Sequence, residues 1–158
     1  MVSGAFYKIK CSGNKYGVFM ENTFEKRSIS YESAIKMINA AHEKAKEIGV
    51  TITVAIVDES GVQKAFGRMD NAPLISVKAS LKKALTAIGF GISSGQEWFN
   101  FIKEDPIMRE GVHDFDDFIL LGGGSPIFIE GKLVGAIGIS GGHYKQDEEC
   151  VKTALNIL

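Results

Sequence analysis

A chain of 158 residues is the size of one domain, since domains commonly run to about 100–150 residues, and it can bury a core without disulfides or metals as staples. Its formal net charge of −1 gives no electrostatic reason to expect nucleic acid or a membrane surface as partner. Cys11 and Cys150 stand alone, with no CxxC spacing, so neither a zinc site nor a redox pair is indicated, and plain thiols fit a cytoplasmic protein.

The N-terminus lacks the apolar core of a signal peptide, and no apolar run is long enough to span a bilayer. Residues 1–28 read instead as a hairpin extension, with short strands at Phe6–Lys10 and Tyr16–Met20 around a turn-prone stretch from Cys11 to Lys15. A helix follows. Ser30 caps it, Ile35, Ile38, Ala41, Ala45 and Ile48 share one face, and Gly49 stops it. His42 falls at the edge of that apolar stripe.

Ile52–Val57 reads as a buried strand, Asp58 to Gly61 as a turn, and Val62–Arg68 as the returning partner. Asn71-Ala72-Pro73 signals a helix start, with proline tolerated in the first turn. That helix is predicted to carry Val77, Leu81, Ala84, Leu85 and Ile88 inward beside Lys78, Lys82 and Lys83, and to end or bend at Gly89 and Gly91. Ser93-Ser94 is predicted to cap a short aromatic helix holding Trp98, Phe99, Phe101 and Ile102, which Asp105-Pro106 finishes. Residues 107–117 look like an irregular connection.

Phe118 to Glu149 is the most informative stretch. Glu130-Gly131-Lys132 separates two runs rich in Ile, Val and Phe, the pattern of a hairpin. Gly122-Gly123-Gly124 enters it and Gly141-Gly142 leaves it. Gly135 and Gly138 fall inside the second strand, where a missing side chain means a bulge or a close approach by a helix or a ligand. Asp147, Glu148 and Glu149 open a last helix whose N-terminus favours negative charge, and Val151, Ala154, Leu155 and Leu158 are its predicted inner face. Hairpins alternating with helices predict an α+β domain on an antiparallel sheet, not a doubly wound parallel one.

These motifs resemble one family. Val54-Ala55-Ile56-Val57-Asp58 with Gly61, Arg68-Met69-Asp70, Ser76, and Lys83 to Ala87 are similar to the GlcG/HbpS family. So are Gly122 to Ile127, Gly131, Val134 to Gly141, and Gln146-Asp147-Glu148. The likeness covers about residues 29–158 and extends to the C-terminal domain of PduO proteins. It implies a single GlcG/HbpS-like domain: one antiparallel sheet of about five strands flanked by helices in profilin-like layering. Some members bind haem, HbpS as a large oligomer; others sit beside glycolate or propanediol utilisation genes. PduO proteins adenosylate corrinoids through a separate N-terminal domain, so that activity is not carried over. The chain departs from the family in Asn71, where RMDG is usual, and in its N-terminal extension.

Haem needs a flat apolar slot, an axial ligand and cations for its propionates. His42, His113 and His143 are the candidate axial ligands, His42 and His143 foremost; each also fits a plainer role, on a helix surface or in a loop. His113, followed by Asp114, Asp116 and Asp117, reads as a solvated acidic loop, and no metal site is expected. Arg68 ends a strand where it can grip a carboxylate bidentately or pair with Asp58 or Asp70. Lys83 offers a second cation or is merely solvated. Backbone N–H groups of Gly123, Gly124 and Ser125, and of Gly141 and Gly142, can cradle an anion. No GK[ST] follows the glycines, and the triple glycine leads into a strand, so neither a P-loop nor a Rossmann fingerprint is present. No Ser-His-Asp or Cys-His pairing is legible.

The reading that results is a homo-oligomeric protein binding haem or a related tetrapyrrole. The alternative is an enzyme acting on a small organic acid held by Arg68 and the glycine-loop amides, and a third possibility is an assembly subunit with a vestigial pocket. Apolar strands and few charges in Phe118–Gly142 favour self-association. All the ligand readings expect a concave site bordered by Arg68, His143 and main-chain amides.

Overall fold

The computed structural model describes residues 24–158; the strands expected at Phe6–Lys10 and Tyr16–Met20 lie outside the described residues. Helix α1 (Tyr31–Glu47) begins where Ser30 Oγ accepts the Ser33 N–H at 3.1 Å, as the capping residue implies. It buries Ala34, Met37, Ile38, Ala41 and Ala45. Strand β1 (Thr53–Asp58) pairs with β2 (Gln63–Arg68), helix α2 runs Leu74–Phe90, and short helices α3 (Gln96–Ile102) and α4 (Pro106–Gly111) follow. A 3-10 turn at Val112–Asp114 leads toward β3 (Gly124–Ile129), β4 (Lys132–Ser140) and α5 (Tyr144–Leu155).

The sheet order is β2-β1-β4-β3 and every pairing is antiparallel. The α+β expectation holds, with four strands among the described residues where the resemblance implied about five. The β3–β4 hairpin turns at Glu130 (φ 51°) and Gly131 (φ 73°), both left-handed, as a two-residue turn requires. Along each strand the side chains alternate faces. Val54, Ile56, Ile137 and Ile139 join α1 and α5 in the main core; Val57 and Ala136 face α2 from the other side. No helix among the described residues is long and apolar enough to cross a membrane.

Helix α2 departs from its predicted face. Its buried residues are Ser76, Ala79, Ser80, Lys83, Ala84, Thr86 and Ala87, while Leu81, Leu85 and Ile88 pack only partly buried at its flank. Close approach is the cause. A Cβ on Gly138 would stand 2.0 Å from the Ser80 carbonyl oxygen, so at this crossing only small residues fit between helix and strand. Thr53 Oγ1 and Ser76 Oγ, 2.6 Å apart, satisfy each other inside the same contact.

Further expectations change. Ser93-Ser94 does not cap α3: Gly95 (φ 90°) stands at its N-cap, and Ser94 Oγ accepts the Gly124 N–H at 2.8 Å instead. Asp105-Pro106 starts a helix as well as ending one, because Asp105 Oδ1 accepts the Ile107 and Met108 N–H groups at 3.0 Å and proline fits the first turn. Residues 107–117 are therefore largely helical rather than irregular. Leu158, expected on the inner face of the last helix, lies beyond α5 and is exposed, while Asp147 in the first turn is buried. Trp98 organises a separate small core, edge-on to Phe90, Phe101 and Phe118.

Candidate functional site

The glycine loops meet at a buried ion pair. Lys83, 1% exposed, extends from α2 past the start of β3 and donates to the Ile139 carbonyl at 2.8 Å and to Asp147 Oδ2 at 2.7 Å. Asp147 Oδ1 accepts the Gly142 N–H at 3.1 Å. Burial pulls the Lys83 ammonium below its ordinary range and pushes the Asp147 carboxyl above its own, each opposed by the partner's charge. Gly123 (φ 106°) passes directly over the pair: a Cβ there would sit 2.7 Å from Asp147 Cβ and 3.1 Å from Lys83 Nζ. Glycine is needed at that position on both counts.

Two clefts open on either side of this loop. The first, of about 340 Å³, is lined by Gly95, Gln96, Phe99, Leu120, Leu121, Gly122 and Tyr144. The second, of about 230 Å³, is lined by Ser93, Ser94, Gln96, Glu97, Gly123, Gly124, Ser125, Glu148, Val151, Lys152 and Leu155. Gln96 belongs to both. Between them lies the carboxylate of Glu148: Cβ atoms on Gly122 and Gly95 would come within 2.1 Å and 3.0 Å of Glu148 Oε1.

Of the residues singled out by sequence, Gly123, Gly124 and Ser125 line the second cleft. His143 stands next to a wall of the first. It is the N-cap of α5, its Nδ1 accepting the Lys145 N–H at 3.4 Å while Gln146 Oε1 accepts the His143 N–H at 2.9 Å. Its ring lies 4.4 Å from that of Tyr144. Arg68 borders neither cleft. Arg68 Nη2 donates to the Ala72 carbonyl at 2.6 Å and pairs with neither Asp58 nor Asp70 among the described residues; Asp58 caps its own turn through the Ser60 and Val62 N–H groups.

Lys83 is internal rather than a surface cation. The Gly124, Gly142 and His143 amides donate within the chain, so they do not form an open anion cradle. His42 packs against Gly67 of β2, where a Cβ would lie 3.0 Å from its Cε1. Burial lowers its pKa from 6.5, opposed by a hydrogen bond to the Gly67 backbone, and its Nε2 is buried without a partner. His113 sits in the 3-10 turn against Phe118. Among the described residues no three His, Cys, Asp or Glu side chains converge as a metal site.

Sequence reasoning missed Phe99, Leu120, Leu121, Tyr144 and Glu148 as cleft residues. The available signal was a run of aromatic and leucine residues flanking glycine turns, which periodicity assigns to the core by default.

The fold and site thus define a single-sheet α+β domain with two mainly apolar clefts beside a glycine loop, the second of them also carrying charged side chains. Residues 29–156 match the family model described as haem degrading protein HbpS-like, and the chain belongs to that family. It is 31% identical over 147 residues to an uncharacterized 15.0 kDa protein of the dhaT-dhaS intergenic region of Citrobacter freundii, covering 82% of this chain and 91% of the relative. It is 30% identical to the corrinoid adenosyltransferase PduO of the same organism, but covers only 38% of that protein's length against 81% of its own. Among solved structures it resembles the PduOC:Heme complex, with TM-score 0.76 and 29% identity over 83% of this chain and 95% of the other. It also resembles Klebsiella pneumoniae ORFY, with TM-score 0.80 and 28% identity over 88% and 96%.

Proposed function

We propose that this protein binds haem or a related tetrapyrrole in the first cleft and works as a homo-oligomer. The observation that carries the reading is the apolar slot of Phe99, Leu120, Leu121 and Tyr144, with the His143 ring 4.4 Å from that of Tyr144. The likeness to PduOC, solved as a haem complex, supports it. The residues present fit the ring and iron of such a group, with apolar walls and, at Tyr144 and the adjacent His143, phenol and imidazole groups of the kinds that ligate haem iron; among the described residues the lining holds no lysine or arginine for the propionates. Bound haem would supply a redox-active iron. Exposed Leu74, Ile75, Phe101, Ile107 and Phe115 are apolar surface of the kind that self-association covers.

His143 has two competing uses. To ligate iron through Nε2 as a neutral ring it must carry its proton on Nδ1, and Nδ1 can then no longer accept the Lys145 N–H. The cap bond is long at 3.4 Å, so giving it up costs little, toward the lower end of the roughly 0.5–2 kcal/mol of a helix cap.

The organic-acid alternative has less support, because the Arg68 guanidinium donates to the chain's own backbone and the loop amides are internally bonded. An absorbance titration with haemin tests the proposal. The expected result is a shifted Soret band at stoichiometric haemin, weakened in His143→Ala and Tyr144→Phe. A spectrum that remains that of free haemin overturns it.

A further inference from the structure

The second cleft has a composition unlike the first. Its volume is about 230 Å³, against about 340 Å³ for the first. One wall is apolar, formed by Val151 and Leu155. Hydroxyls enter from the facing side, where Ser93 Oγ and Ser125 Oγ lie 3.4 Å apart.

The charged side chains are unevenly used. Glu97 is engaged, its Oε2 accepting the Ser93 N–H at 2.8 Å. Glu148 and Lys152 both line the cleft from α5, four residues apart. Glutamate placed four residues before lysine is the favourable orientation for a helical ion pair. The pair is not made: neither side chain is in an ion pair among the described residues. Glu148 turns instead onto the glycine wall, against Gly122 and Gly95, where any larger residue would collide with its carboxylate. The cleft therefore holds one uncommitted carboxylate, one uncommitted ammonium, and an apolar wall.

We propose that the second cleft binds a small zwitterion of the α-amino-acid type. Glu148 takes the ligand's ammonium, Lys152 its carboxylate, and Val151 and Leu155 its apolar side chain. Charge complementarity of this kind rejects molecules carrying only one of the two groups, since the unmatched protein charge is then left without its partner. The inference is independent of the haem reading, which concerns the other cleft.

Calorimetric titration of the full chain with L-leucine, isocaproate and isoamylamine decides it. Leucine is expected to bind, and its analogues lacking the ammonium or the carboxylate to bind roughly tenfold or more weakly, as lost charged hydrogen bonds imply. Glu148→Gln and Lys152→Met are each expected to weaken leucine binding by a similar factor, and Lys152→Met, at a position that lines only the second cleft, to leave the haemin titration unchanged. Absence of leucine binding at millimolar concentration overturns the proposal, as does isocaproate or isoamylamine binding as tightly as leucine. The three-ligand comparison uses the unaltered protein, so it stands even if a variant fails to fold.

Discussion

Lys83 and Asp147 lie 2.7 Å apart, buried, on helices that cover opposite faces of the sheet. The contact ties α2 to α5 around the point where β3 begins, and the glycine loop between the clefts rests on it. A buried ion pair contributes little net stability, but breaking it strands a charge in a dry interior. Lys83→Met alone is therefore expected to cost roughly 3–5 kcal/mol, and adding Asp147→Asn should restore part of the loss. Urea unfolding of the two variants measures this; a Lys83→Met protein as stable as the wild type would contradict it.

The α2 crossing at Gly138 makes a second expectation. A methyl group there would lie 2.0 Å from the Ser80 oxygen and 2.5 Å from the Ala84 nitrogen, both backbone atoms. Gly138→Ala should destabilise by about 1–3 kcal/mol or more, as overpacking does. Gly131→Ala, in open space but at φ 73°, should cost less, from backbone strain alone, on the order of 1 kcal/mol. Comparing the two melting curves separates crowding from strain.

His42 couples stability to pH. Burial against Gly67 lowers its folded pKa below 6.5, reinforced by Lys46 and opposed by the Gly67 backbone and Glu43. In the window between the lowered value and 6.5 the unfolded chain binds the proton more readily, so stability falls as pH falls through it. Denaturation midpoints taken between about pH 7.5 and about pH 5.5 should decline less steeply in His42→Asn than in wild type. Parallel curves would assign the decline to other groups.

Cys150 is buried, and burial pushes its thiol up to about 11. In a Cys11→Ser background the native protein should react very slowly with iodoacetamide near neutral pH, because the thiolate is the reactive form. Unfolding in urea should restore the rate. The same shift means that stability present below the ordinary value of 9.0 is lost as pH rises toward 11. Rapid alkylation of native protein would show that the thiol is reached by local opening.

Local signals carried much of the fold. The cap at Ser30 and the turn at Glu130-Gly131 each rest on interactions between near neighbours in the chain, and each is found in place. Asp105-Pro106 misled because the same dipeptide that stops one helix can start the next. The clefts were largely illegible. Arg68 and His143 carry recognisable motifs, yet Arg68 closes onto Ala72, while the cleft walls come from Phe99, Leu121 and Tyr144, which no spacing rule brings together.

Sequence alone determined the antiparallel α+β layout, the helix-and-hairpin order and the family likeness, because turn chemistry and side-chain periodicity act over a few residues. Tertiary structure decided which face of α2 turns inward, that Lys83 is buried while Lys152 is exposed, and that Glu148 stands between two clefts. Those outcomes depend on how closely one backbone approaches another. At Gly138 and Gly123 that distance is set by packing between segments far apart in the chain, which no local pattern encodes.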